Sequence, residues 1–192
     1  MIGEMMVQQK EIYLLLTDTR SWFTRLIKLY TKKPYNHASI AFDQELEQVY
    51  SFGRKAPKNP FIGGFVKENM NEGLFKHANG VIYSVSVTEE QWQKIQQYIR
   101  KINAEKDAYR YNFIGLFGFV LKRPINRKNA FFCSQFVATV LQESNVTQFS
   151  KPIPLVTPYD LQKADVFQLV YKGEIKEYCK QPQVRRTQTT SC

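Results

Sequence analysis

Cysteine is scarce in this 192-residue sequence, which holds three, Cys133, Cys179 and Cys192. They are odd in number and lack CxxC spacing, which argues against both a disulfide framework and a structural zinc site. At least one thiol is free for chemistry, and neither a metal nor an organic cofactor is expected. Histidine is scarcer still, with only His37 and His77, so any imidazole chemistry has a narrow choice of base. Long hydrophobic runs are also missing. The opening MIGEMMVQQKEIYLLL has no basic n-region and only a short apolar run, and it reads as neither a signal peptide nor a span, so a cytoplasmic protein is expected. The apolar segment YNFIGLFGFVL is too short to cross a bilayer as a helix and reads as a buried or pocket-lining one.

Charge of one sign is in short supply too: 27 Lys and Arg face 17 Asp and Glu, a net charge of +10. That excess favours polyanions, but the basic residues are spread thinly and carry no zinc-finger, RRM or KH signature, so nucleic acid is a poor candidate partner. A solvated basic face or an anionic membrane surface fits the pattern better. What is abundant is aromatic: eleven Tyr and fourteen Phe predict a ring-rich core. The length suits one domain, expected over residues 1–181, with 182–192 a loose basic tail.

Along the chain, residues 11–16 read as an apolar strand, followed by a helix with Trp22, Phe23, Leu26, Ile27 and Tyr30 on one face, ended by Pro34. HASIAFD from His37 and EQVYSFG from Glu47 read as a hairpin around Asp43-Gln44-Glu45, and a three-residue loop sets His37 opposite Ser51. The following RKAPKNPFIGGFVKENMNEG, rich in Pro, Gly and Asn, reads as a long loop. VIYSVSV is a strand, and Thr88 with Gln91 forms a capping box opening a helix with Trp92, Ile95, Ile99 and Ile102 on its apolar face. A second helix is expected from Asn129 to Ser144, then a short helix in PYDLQKA and a final strand FQLVYKG.

The chemical signal is FFCSQFVATVL, which puts Cys133 in the first turn of that second helix if Asn129 or a neighbour caps it. The positive end of a helix dipole favours the thiolate, the form a cysteine nucleophile needs. Cys133 also shares a face with Val137, Val140 and Leu141, so a small inert core residue is the alternative. His77 is most simply an exposed loop residue. His37 opens a strand and shares a face with Ser39 and Ala41, while Ile40 and Phe42 point the other way. It is either a structural histidine or the base for Cys133.

The ordered set P-Y-N-H-A-S-I-A, Y-N-F-x-G-L, F-C-S-Q-F-V-A and T-P-Y-D-L resembles the circularly permuted papain-like amidases of the YiiX/YaeF type. That group lies in the NlpC superfamily and is related to the lecithin-retinol acyltransferase family; in it the His precedes the Cys, as here. The resemblance runs from Glu11 to about Tyr178. It implies an α+β fold, permuted papain-like, in which an antiparallel sheet carrying His37 packs against helices, one of them presenting Cys133. It implies a third polar residue on the strand after the His strand. Ser51 matches that position where other members place His or Glu, and Glu47 and Glu68 are alternative orienters of the ring. It further implies that Tyr35, two residues before the His, is an oxyanion donor, the alternative being a ring packed beside Pro34. The implied activity is a cysteine hydrolase acting on an amide, peptide or ester carbonyl through a thioacyl intermediate. A lipid-directed hydrolase or acyltransferase with the same site, and a non-catalytic binding module on the same fold, are the competing expectations.

Overall fold

The computed structural model describes residues 10–19, 32–56, 59–112, 115, 123–125 and 127–181, the side chains at 54, 56 and 59–62 excepted. The expected helix around Trp22 to Tyr30, most of the segment 113–120, Cys192 and the tail lie outside the described residues. Five strands come first: β1 Lys10–Asp18, β2 His37–Ala41, β3 Val49–Ala56, β4 Asn59–Glu68 and β5 Asn79–Val87. Helix α1 Glu89–Ala104 follows, then the short strands β6 Arg110–Tyr111 and β7 Ala130–Phe131, helix α2 Cys133–Glu143, helix α3 Pro158–Gln162, β8 Gln168–Glu174 and helix α4 Ile175–Lys180. The fold is mixed α+β. An antiparallel six-stranded sheet has the order β4-β3-β2-β1-β5-β8, and β6 pairs β7 in parallel.

β1 is apolar without alternation because both faces of this central strand are covered. Ile12, Leu14 and Leu16 enter the larger core with Ala38, Ile40, Phe52 and Phe65, under Ile95, Ile99 and Ile102 of α1 and Phe136 to Leu141 of α2. Tyr13 and Leu15 enter a smaller core on the other side with Ala41, Val49, Met70, Phe75 and Tyr178. Phe52 carries the ring cluster of the larger core, its centroid 5.1 Å from Phe131, 5.2 Å from Phe136 and 6.0 Å from Phe65 and Tyr109.

The Thr88–Gln91 capping box is present, each side chain closing on the other residue's backbone N–H. Thr88→Ala should cost about 1 kcal/mol, read as a lower urea midpoint with an unchanged slope. Among the described residues no helix is long and apolar enough to cross a membrane.

Three expectations are corrected. The Pro- and Gly-rich stretch is no long loop: β3 and β4 run through it as a paired hairpin. β4 is a sheet edge, where the missing N–H of Pro60 is tolerated, and Gly63 lies so close to Tyr111 that a Cβ would come within 2.8 Å of that side chain. The β2–β3 register also differs, with Ile40 opposite Tyr50 and Ala41 opposite Val49. The loop is longer than expected because Asp43 accepts the N–H groups of Glu47 and Gln48 at 2.6 and 2.7 Å. Finally, α2 begins at Cys133, capped at Phe132 without a side-chain bond. Asn129 sits upstream in a turn at φ 53°, its carbonyl accepting the Arg110 N–H at 2.9 Å.

Candidate active site

Cys133 is the first residue of a helix buried almost all round, and the thiol itself is buried. The next residue anchors the helix start, Ser134 donating to the Val156 carbonyl at 2.7 Å. Cys133 Sγ lies 3.9 Å from the carbonyl oxygen of Asn36. Asn36 is fixed in turn, its N–H donating to Thr17 O at 3.1 Å and its amide to Asp18 at 3.0 Å. The residue after it, His37, is near enough for the Cys133 thiol to help raise the pKa of its ring.

The other side of the imidazole meets a carboxylate. His37 Nε2 lies 2.6 Å from Glu68 Oε1, with both side chains largely withdrawn from solvent. With Nε2 engaged by Glu68, Nδ1 is the nitrogen left for the thiol. Two buried hydroxyls complete the arrangement, Ser51 donating to Glu68 Oε1 and Ser39 to Oε2, each at 2.5 Å. Phe75 packs beside the imidazole, ring centroids 5.8 Å apart.

Burial alone would push the His37 pKa down. The opposing charge of Glu68 and the hydrogen bond and charge of Cys133 outweigh it and raise the pKa to about 10. The surroundings of His37 therefore favour the charged ring, with Glu68 the larger contributor.

The sequence-derived site residues fare differently. Cys133 and His37 are brought together. Ser51 faces the correct side, yet it bonds the carboxylate and not the ring; Glu68 takes the place expected of Ser51. This corrects the hairpin register by two residues, a shift that preserves the face. Continued back along β2, the register sets Gly53 across from His37, where a Cβ would stand 3.6 Å from Glu68 Oε1, so the missing side chain leaves room for the carboxylate. Glu47 is exposed just ahead of β3 and orients nothing in the site. His77 is exposed, as expected of a loop residue.

Tyr35 is half-buried against the larger core, its phenol pushed up by burial and by Tyr83. Ser39 had no advance signal beyond sharing a strand face with His37. Cys179 lies on α4 and lines, with Glu45, Glu47, Lys67 and Glu68, a cleft of about 710 Å³ on the smaller-core side; burial raises its thiol pKa. Among the described residues there is no cluster suited to a metal ion.

Comparison with protein-family models, curated proteins and solved structures finds no match.

Proposed function

We propose that the protein is a cysteine hydrolase of the amidase or peptidase type, working through Cys133, His37 and Glu68 on a permuted papain-like fold. The observation that carries this reading is the 2.6 Å contact of His37 Nε2 with the buried Glu68 carboxylate on an imidazole that Cys133 neighbours, a third member being what a nucleophile–base pair needs to hold its orientation. Such a carboxylate can stabilise an imidazolium, which a serine hydroxyl cannot do, and this counts against a non-catalytic binding module.

In the first step the Cys133 sulfur, as thiolate, forms a bond to the carbonyl carbon of an amide or ester, and the carbonyl π pair moves to oxygen. The backbone N–H of Cys133, first in its helix and so without an intrahelical acceptor, is positioned to receive that oxyanion. As the oxyanion collapses, the C–N or C–O bond breaks and the leaving group takes the proton from His37. In the second step neutral His37 removes a proton from water, the hydroxyl oxygen attacks the thioester carbon, and the C–S bond breaks. The acid leaves, and thiolate and imidazolium are restored. Glu68 keeps Nε2 engaged throughout, so the ring presents the same nitrogen in both steps. Tyr35 is the candidate second oxyanion donor, and an amine or alcohol in place of water makes the second step an acyl transfer.

The test is to trap the thioester. Incubation with an activated ester such as nitrophenyl acetate, an acid quench and peptide mapping should find one acetyl group on the Cys133 peptide, released by hydroxylamine. The adduct should be absent from Cys133→Ala and strongly reduced in His37→Ala. Acetylation spread over lysines with none on Cys133 would sink the reading.

A further inference from the structure

Two lysines stand close to one tyrosine of α3. Lys33 Nζ stands 3.6 Å from the centroid of the Tyr159 ring and Lys163 Nζ 4.8 Å from it. Among the described residues neither ammonium group stands in an ion pair with a carboxylate. Asp160, the neighbour of Tyr159, is taken up by Lys151 at 2.8 Å and by the N–H and hydroxyl of Thr157 at 2.8 and 2.6 Å, and Asp165, two residues past Lys163, makes no ion pair with it. Asp18 accepts from the Asn36 amide. The face of one ring offsets only part of the repulsion between two such cations. Hydrogen bonding from Lys163, then the charges of Lys163 and Lys33, pull the Tyr159 phenol below its ordinary value.

The place of this cluster is set by the two segments that hold Cys133. Lys33 is three residues before Asn36, whose carbonyl is 3.9 Å from the sulfur. Tyr159 is three residues after Val156, whose carbonyl holds Ser134 at the start of α2. Three residues span at most about 10 Å of chain, and a lysine side chain reaches back over part of that.

We infer that Lys33, Tyr159 and Lys163 form an anion subsite beside Cys133, reading a phosphate or carboxylate carried by the substrate. This deepens the proposed hydrolase by naming a substrate class, an acyl compound with an anionic group on the order of 10 Å from its scissile carbonyl, and it rests on that reading only for the link to catalysis. The ammonium groups supply charge and donors, and the Tyr159 ring lies within 4.8 Å of both.

Titration of the isotopically labelled full chain with phenyl phosphate, followed by amide NMR, should give saturable shifts around Lys33, Tyr159 and Lys163. Neutral phenol should give none. Lys33→Gln/Lys163→Gln should weaken binding about tenfold, as should raising the salt to about 0.5 M. Absence of saturable shifts at these residues with both phenyl phosphate and monomeric dihexanoyl phosphatidylglycerol overturns the subsite whatever the thiol does. Monomeric dihexanoyl phosphatidylglycerol separates the two carriers of such a group: binding of both probes means that the phosphate alone is read, and binding of the lipid alone means that its chains are needed as well. Both results support the subsite, and binding of neither overturns it.

The link to Cys133 is read in a Cys179→Ser/Cys192→Ser background from the rate with the anionic disulfide dithiobis(nitrobenzoate) divided by that with neutral dithiodipyridine. The lysine variant should lower this ratio several-fold. An unchanged ratio overturns the subsite's role at the thiol. A folded protein whose Cys133 reacts with neither reagent overturns the proposed hydrolase, and the NMR titration then decides the subsite on its own.

Discussion

Glu68→Gln should lower the rate of Cys133 acylation by an ester probe by about a hundredfold to ten-thousandfold, the range associated with a well-placed acid–base partner. Glu68 Oε1 faces both His37 Nε2 and the Ser51 hydroxyl, and Oε2 receives Ser39. An amide can keep one acceptor in that cradle but adds a donor NH2 at the other position. If the NH2 faces the ring, it confronts the N–H of the imidazolium. If it faces Ser39, the ring keeps an acceptor but loses the negative charge that raises its pKa. Either outcome depletes the imidazolium that must protonate the leaving group. The comparison is a pre-steady-state rate at fixed probe concentration for wild type and variant, with folding monitored by circular dichroism. An unchanged rate in a folded variant would remove Glu68 from the mechanism and leave Cys133 and His37 as a dyad.

His37→Ala should destabilise the fold by about 3–5 kcal/mol, because it strands a buried carboxylate without its cation. A cavity explanation predicts the same loss with or without that charge. The double variant His37→Ala/Glu68→Gln separates the two, since it should be more stable than His37→Ala alone if the stranded charge is responsible.

The effect has a defined pH dependence. His37 has a folded pKa raised to about 10 against about 6.5 in an unfolded chain. Its stabilisation is therefore complete below pH ~6.5 and declines as pH rises toward ~10, because the unfolded state gives up its proton first. Urea melts of wild type and His37→Ala between those limits should converge as the pH rises. A gap that stays constant would show that the ring is neutral in the folded protein. Cys133→Ala removes one of the groups that raise the pKa, so that variant should lose the stabilisation at a lower pH than wild type.

Much of the site's layout is local in origin, and local features are what a sequence expresses. The alternation in HASIAF assigns His37, Ser39 and Ala41 to one face and Ile40 and Phe42 to the other, and the two cores divide in that way. The Thr88 capping box involves residues three apart, and its geometry is present. Cys133 opens a helix because an apolar helical pattern begins there, although the cap is Phe132 and not a polar side chain.

The partner of the imidazole was a different matter. Glu68 lies 31 residues from His37, on a strand whose Pro and Gly content imitates a loop. That stretch becomes a strand because β3 supplies a full ladder of partners and the edge position excuses the proline. The register of β2 on β3 was equally out of reach, since it depends on the Asp43 side chain gathering two backbone N–H groups into a longer turn. A two-residue shift keeps the face but changes the neighbour, so Ser51 stayed in the site while its partner changed from ring to carboxylate. Which residue types share a face and where α1 begins are written in the sequence, because those follow from strand and helix periodicity and from a capping box three residues long. Tertiary structure alone decided which carboxylate meets His37 and which lysines meet Tyr159, because those meetings depend on strand pairing and helix packing between distant segments.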